Sequence, residues 1–133
     1  MITYEPIGFI EVEGEPSRQK ESFVVVRPDL AEGLLGLNEF SHGIVIYHLH
    51  LASFNGPIKV RSGERVGIFA TRSPNRPNPI GISVVEILEV ERNRVKVRGL
   101  NAFNGTPVLD IKPYDKWDSV ANPRVPRWHQ VQH

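Results

Sequence analysis

The sequence predicts a mainly β fold: a barrel or a sandwich of mostly antiparallel strands with one short helix. Three observations point there. Apolar residues alternate with polar ones along six or seven short stretches, the period of a strand with one buried face. Turn-forming residues separate those stretches, as in sandwiches and barrels. Only one stretch repeats at helical spacing. A closed barrel would also remove exposed sheet edges.

Taken in order, Ile7 to Val12 reads as the first strand and "ESFVVVR", 21–27, as the second. "PDLAEGLLGLNEFS", 28–41, carries Leu30, Leu34 and Leu37 at i, i+4 and i+7, the apolar face of a helix. Gly33 and Gly36 weaken it, which limits it to one or two turns. "IVIYHLHL", 44–51, is a third strand, and "VGIFA", 66–70, a fourth. "ISVVEILEV", 82–90, and "VKVRGL", 95–100, are joined by Glu91-Arg92-Asn93-Arg94, a hairpin turn. "TPVLDI", 106–111, closes the regular part. The core spans about residues 4–115, and 116–133 forms a tail without period, predicted to cross the surface in extended form with Trp117 and Trp128 as anchors.

The 133 residues suit one domain with a real core. No apolar run reaches the roughly 20 residues of a membrane span. The acidic, alternating start, "MITYEPIGFIEVEGEP", does not read as a signal peptide. With no cysteine, disulfides, thiolate metal sites and cysteine nucleophiles are excluded. The expectation is a cytoplasmic protein. Net charge is only +1, yet residues 1–40 carry 3 Lys/Arg against 8 Asp/Glu and residues 41–133 carry 13 against 7. Such a split suits either a basic surface for an anionic partner or an ordinary solvated surface.

"RSPNRPNPIG", residues 72–81, is the most unusual stretch. Pro74, Pro77 and Pro79 fix φ and restrain their predecessors. The loop is therefore set before anything binds, which lowers the ordering cost of binding. Arg72 and Arg76 offer forked cationic donors for carboxylate or phosphate, and Asn75 and Asn78 offer neutral donors and acceptors. A solvent-facing turn whose arginines pair with nearby acids is the alternative. In "GLNAFNGTPVLDIKPY", 99–114, Asn104-Gly105 signals a turn. Period two places Asp110, Lys112 and Tyr114 on one face and Leu109 and Ile111 on the other, if the strand runs that far. His42, His48 and His50 would share a face on one unbroken strand. Three histidines can bind zinc, but His42 falls at the end of the short helix, so no metal site is expected. The dinucleotide-binding, phosphate-loop and nucleophile-elbow motifs do not occur.

"GERVGIFATRSPNRPNPIGISVVEI" and "GTPVLDIKPY", with "PSRQ" (16–19) and "GLNEFSH" (36–42) in order before them, closely resemble the TrmO family, also called TsaA-like or VirR-like. The resemblance covers roughly residues 4–115 and implies a barrel-like, non-Rossmann methyltransferase. It implies a homodimer binding S-adenosylmethionine near the subunit interface. The substrate would be a tRNA bearing N6-threonylcarbamoyladenosine beside the anticodon, methylated at N6.

By position, the resemblance makes Arg18, Gln19, His50 and Arg72 cofactor contacts, with Asn101, Asn104, Gly105 and Thr106 of the turn holding the adenosine part. Arg76 and Asn78 would meet tRNA phosphate, the threonyl carboxylate or the methionyl group, and Lys112 and Tyr114 join them on the substrate side. Asp110, His50 and Tyr114 are candidate bases. Lys59, Arg61, Arg65, Arg92, Arg94, Lys96 and Arg98 are candidate phosphate contacts. The family turn usually carries aspartate where this chain has Asn101 and Asn104, so two negative charges are lost here. Three other readings remain: a non-catalytic nucleotide- or RNA-binding module, a metal-dependent hydrolase using the three histidines, and methylation of a different target.

Overall fold

Valine-rich alternation closes into a small barrel. In the computed structural model, which describes residues 1–130, the barrel is built from β1 (Gly8–Glu11), β2 (Glu21–Val26), β3 (His42–His48), β6 (Ile80–Glu91), β7 (Arg94–Arg98) and β8 (Pro107–Pro113). The strands follow one another around it in the order β1-β2-β7-β6-β3-β8, and every ladder is antiparallel. Two further strands, β4 (Ile58–Arg61) and β5 (Glu64–Gly67), form a separate hairpin. No helix among the described residues is long and apolar enough to cross a membrane.

Six strands enclose a narrow lumen, since barrel diameter grows with strand number. The buried side chains are accordingly compact and mostly β-branched: Ile10, Val24, Val45, Val85, Val95, Val97 and Val108 are all at most 1% exposed. Alternation along each strand puts these inward and polar partners outward. On the outside of β2 and β7, Arg94 bonds Glu11 at 2.7 Å, Lys96 bonds Glu21 at 3.2 Å, and Arg98 bridges Glu21 and Glu86 at 2.9 and 3.0 Å. The Arg94 guanidinium also lies 4.2 Å above the centre of the Phe23 ring, a cation–π contact.

β6 is the corner of the barrel. Residues 80–86 pair with β3 and residues 86–91 with β7, with a bulge between Ile87 and Glu89. Bulges bend a strand and sharpen its twist, which lets one strand serve both neighbours. The ladder to β7 begins only at Glu86. The other edge of residues 80–85 is thus left without a strand partner among the described residues, and the candidate site forms there.

Several elements differ from their sequence expectation. Residues 28–41 form no α-helix: two 3-10 segments, Pro28–Leu34 and Leu37–Glu39, are separated at Gly36, whose φ is 90°. That left-handed backbone suits glycine and ends the first segment. Leu34 is buried and Leu37 packs on the core, but Leu30 is exposed. β3 starts at His42 and ends at His48, short of the predicted Leu51. The fourth predicted strand shifts to Glu64–Gly67 and continues as a 3-10 turn, Ile68–Ala70. Its partner β4 has no counterpart in the sequence reading. In the tail, Trp117 is 94% exposed and anchors nothing. Short helical turns at Lys116–Asp118 and Arg127–Gln130 interrupt the extended path. The last three residues of the tail lie outside the described residues.

Candidate functional site

A cavity of about 770 Å³ opens at the end of the barrel, beside the unpaired edge of β6. That is within the range of small-molecule sites, roughly 300–1,000 Å³. Its wall is assembled from the N-terminal loop, the segment after β3, the 71–76 loop, the start of β6, the 101–106 turn and the C-terminal segment.

The floor is set by Tyr47 and Ser83, whose hydroxyls bond at 2.8 Å across the β3–β6 pair. The Tyr47 ring is buried and occupies the place where a side chain at residue 81 would stand. The glycine closing "NPIG" is thus required by its neighbour and not by its own backbone.

The proline-rich loop is held by a relay of side chains to backbone. Thr71 Oγ1 donates to the Ile68 carbonyl at 2.8 Å, Ser73 N donates to Thr71 Oγ1 at 3.3 Å, and Asn75 N donates to Ser73 Oγ at 3.3 Å. Asn75 Oδ1 accepts from Ser53 N at 3.0 Å, which ties the loop to the segment after β3. Arg76 Nη1 donates to the carbonyls of Thr71 and Ser73 at 2.6 and 3.2 Å. Arg72 Nη2 donates to the Ile82 carbonyl, on the open edge of β6, at 3.2 Å. Neither arginine has an acidic partner among the described residues. Each uses part of its guanidinium to shape the loop and keeps further donors for a ligand.

The structure brings Arg18, His50, Arg72, Arg76, Asn101 and Thr106 to this cavity. Gln19, Asn78, Asn104 and Gly105 do not line it. Gln19 Oε1 lies 3.2 Å from Ser17 Oγ, and Asn104 Oδ1 accepts from Val12 N at 3.0 Å. Gly105 has φ 86° and supplies the turn that Asn104-Gly105 signalled. Thr106 Oγ1 donates to the Phe103 carbonyl at 2.7 Å, closing the same turn. Of the two asparagines that replace family aspartates, only Asn101 is in the wall. Asn104 does an acceptor's work that needs no charge.

Asp110, Lys112 and Tyr114 stand elsewhere. β3 and β8 change register between Ile46 and Tyr47, so that Asp110 faces Ile46 and Val108 faces Tyr47. That bulge, at Leu109, turns Asp110 to the outer wall. There it pairs with Lys112 at 3.3 Å, both half-exposed. β8 ends at Pro113, and Tyr114 lies beyond it, edge-on to His42 at 6.2 Å. His42 and His48 alternate with buried Gly43, Val45 and Tyr47 and so lie on the outer wall, whereas His50, past the strand end, lines the cavity. No cluster of metal-ligating side chains exists among the described residues.

Electrostatics divide the cations in two. On the barrel wall, Arg94, Lys96 and Arg98 are paired. Hydrogen bonding and charge from Lys96 lower the Glu21 carboxyl from its ordinary value, desolvation opposes them, and Arg98 adds to the lowering. Glu11 raises Arg94 further. Around the cavity, Arg18, Arg61, Arg72 and Arg76 have no ion pair among the described residues, and none of the described residues in the wall is Asp or Glu. Leu49, Leu51, Ile80, Ile82, Ala102 and Phe103 supply the apolar part. The sequence did not reveal that Leu49, Ala102 and Trp128 join this wall. Such a cavity suits a ligand with an anionic group and a flat apolar part.

Residues 10–119 match the family model for the tRNA-methyltransferase O N-terminal domain, TrmO_N. A probable S-adenosyl-L-methionine-binding protein of Pyrococcus abyssi is 42% identical over 94% of this chain and 75% of its own length. A tRNA (adenine(37)-N6)-methyltransferase of Rattus norvegicus is 35% identical over 89% of this chain, which spans only 32% of that relative. The crystal structure of TrmO from Pseudomonas aeruginosa superposes with a TM-score of 0.78 at 35% identity, over 96% of this chain and 61% of that one.

Proposed function

The chain belongs to the TrmO N-terminal domain family, and on that premise we propose that it transfers a methyl group from S-adenosylmethionine to N6 of an adenosine in tRNA. The finer target we propose is N6-threonylcarbamoyladenosine beside the anticodon, and the setting is the cytoplasm. One observation carries the reading. Six residues that the family resemblance assigns to cofactor or substrate, Arg18, His50, Arg72, Arg76, Asn101 and Thr106, come from separate segments yet line one cavity.

The cavity's chemistry fits the cofactor. Arg18 and Arg72 have no acidic partner among the described residues, which leaves guanidinium donors for a methionyl carboxylate. Asn101 offers an amide for ribose hydroxyls, and the apolar wall suits a purine ring. When bound, S-adenosylmethionine supplies a methyl group already activated on a sulfonium centre. The chain's task is alignment and exclusion of water. The rigid loop and the Tyr47–Ser83 floor fix the wall against which the two reactants meet. Of the candidate bases only His50 lines the cavity, so we assign it to accept the N6 proton at an imidazole nitrogen. The unpaired arginines at the mouth suit the phosphates flanking the target base.

We also propose a homodimer, formed through the outer face of β3 and β6. Ile44 lies opposite Val84 and Ile46 opposite Ile82, with Ile80 beside them. Ile80, Ile82 and Val84 are 43%, 47% and 49% exposed. Contiguous exposed apolar residues on a soluble protein mark an interaction surface. Asp110, Lys112 and Tyr114 border this face and would serve the site from the dimer seam.

Calorimetric titration with S-adenosylmethionine tests the reading. Micromolar binding, about −8 kcal/mol, is expected. A folded protein that binds tRNA but no cofactor would favour the non-catalytic RNA-binding module.

A further inference from the structure

The C-terminal segment does more than cross the surface. Pro123 and Pro126 stiffen its approach, and it then turns into Arg127–Gln130 beside the β4–β5 hairpin. The Trp128 carbonyl accepts a long hydrogen bond from Ser62 Oγ, 3.5 Å, at the hairpin's tip. This brings Trp128, half-buried, onto the cavity wall together with its neighbour His129. The two rings stand edge to face, 5.9 Å apart at 86°, so one buttresses the other.

The charges around Trp128 decide what it suits. Arg61 shares the wall. Lys59 shares the face of Arg61 on the hairpin while Arg65 lies on its other face, and Arg124 and Arg127 lie on the segment itself. None of these five forms an ion pair among the described residues, although Glu64 stands opposite Arg61, whereas the cations on β7 are paired. A tryptophan that merely filled space would sit among apolar side chains. An aromatic surface set among unpaired cations is how proteins hold unstacked nucleic-acid bases, the ring stacking on the base and the cations on its phosphates. A base modified at a ring substituent must leave its stack to reach the reacting atom.

We infer that Trp128 is the stacking platform for the tRNA base that this domain methylates. The inference rests on the proposed function and adds the residue that receives the substrate's purine. The cofactor's own adenine is the competing occupant of the same chemistry.

Trp117 and Trp128 are the only tryptophans, and Trp117 is almost fully exposed. Trp117→Phe therefore leaves Trp128 as a single reporter. Three probes are titrated into the 133-residue protein: S-adenosylmethionine alone, an anticodon stem-loop RNA, and the same RNA abasic at the target nucleotide. Binding of labelled RNA is followed in parallel by anisotropy. The expected result is quenching by the intact RNA, little by the abasic RNA, and little by S-adenosylmethionine. Trp128→Ala should raise the RNA Kd about tenfold while the S-adenosylmethionine Kd moves by no more than about twofold. Trp128→Phe, which keeps a ring, should restore most of the RNA affinity.

RNA binding without quenching, or equal quenching by the abasic RNA, would overturn the inference and leave the proposed function standing. Full quenching by S-adenosylmethionine alone, with nothing added by RNA, would overturn it in favour of the cofactor's adenine. Failure of any RNA to bind would overturn the proposed function and this inference together.

Discussion

The ring of Tyr47 rests against the bare Cα of Gly81: a methyl group at that glycine would stand 2.6 Å from Tyr47 Cε2. Such a contact is far inside van der Waals distance, and the Tyr47 ring is buried with its hydroxyl engaged by Ser83. Gly81→Ala should therefore cost about 1–3 kcal/mol of stability, the usual range for overpacking, and weaken cofactor binding by displacing the cavity floor. Gly33→Ala is the control, since a methyl group there meets nothing within 4 Å. Thermal unfolding of the two variants separates the cases.

Arg72 is exposed and makes one backbone hydrogen bond, to Ile82. Its loss should leave the fold nearly unchanged. If its remaining donors hold the cofactor carboxylate, Arg72→Ala should remove a charge-assisted hydrogen bond of about 1.5–3 kcal/mol, seen as a tenfold or greater rise in the calorimetric Kd. An unaltered Kd would refute the assignment.

Ile82 and Val84 sit at the centre of the exposed apolar face. A charge there would be desolvated without a partner in a dimer but tolerated by a monomer. Sedimentation of Ile82→Asp should show a monomer with near-native circular dichroism, against a wild-type dimer. A monomeric wild-type protein would remove the proposed interface.

The Glu21 carboxyl is held below its ordinary range, chiefly by Lys96 and then by Arg98. A carboxylate whose folded-state pKa is lowered contributes stability above its unfolded-state pKa and loses it as pH falls through the folded-state value. Wild type should thus melt above Glu21→Gln at neutral pH. The gap should close on acidification through and below the ordinary carboxylate range. The pair is solvent-exposed, so the gap should be small and shrink with added salt.

Much of the barrel could be read from period-two alternation, because each strand of a narrow closed sheet must present small apolar residues at every second position. β4 escaped because Ile58 and Val60 remain exposed on a hairpin outside the barrel, so its alternation marks no core. The leucine spacing of residues 28–41 was real, but Gly36 in a left-handed conformation broke it into 3-10 turns. Asp110 could not be placed because a one-residue bulge at Leu109 reverses the faces beyond it. The unusual loop was visible in the sequence, but not that Arg76 folds it or that Asn75 latches it to Ser53. Nor could the sequence distinguish paired cations from unpaired ones. Arg98 and Arg61 each have a glutamate across the ladder, yet only Arg98 closes ion pairs, with Glu21 and Glu86, among the described residues.

Methyl transfer itself is the most direct test of the central claim. Purified protein is incubated with S-adenosylmethionine and tRNA bearing N6-threonylcarbamoyladenosine, and the digested nucleosides are analysed by mass spectrometry. This nucleoside should gain one methyl group at N6, and Arg72→Ala should slow its appearance. An unmodified nucleoside, from a protein that demonstrably binds both the cofactor and the tRNA, would contradict it.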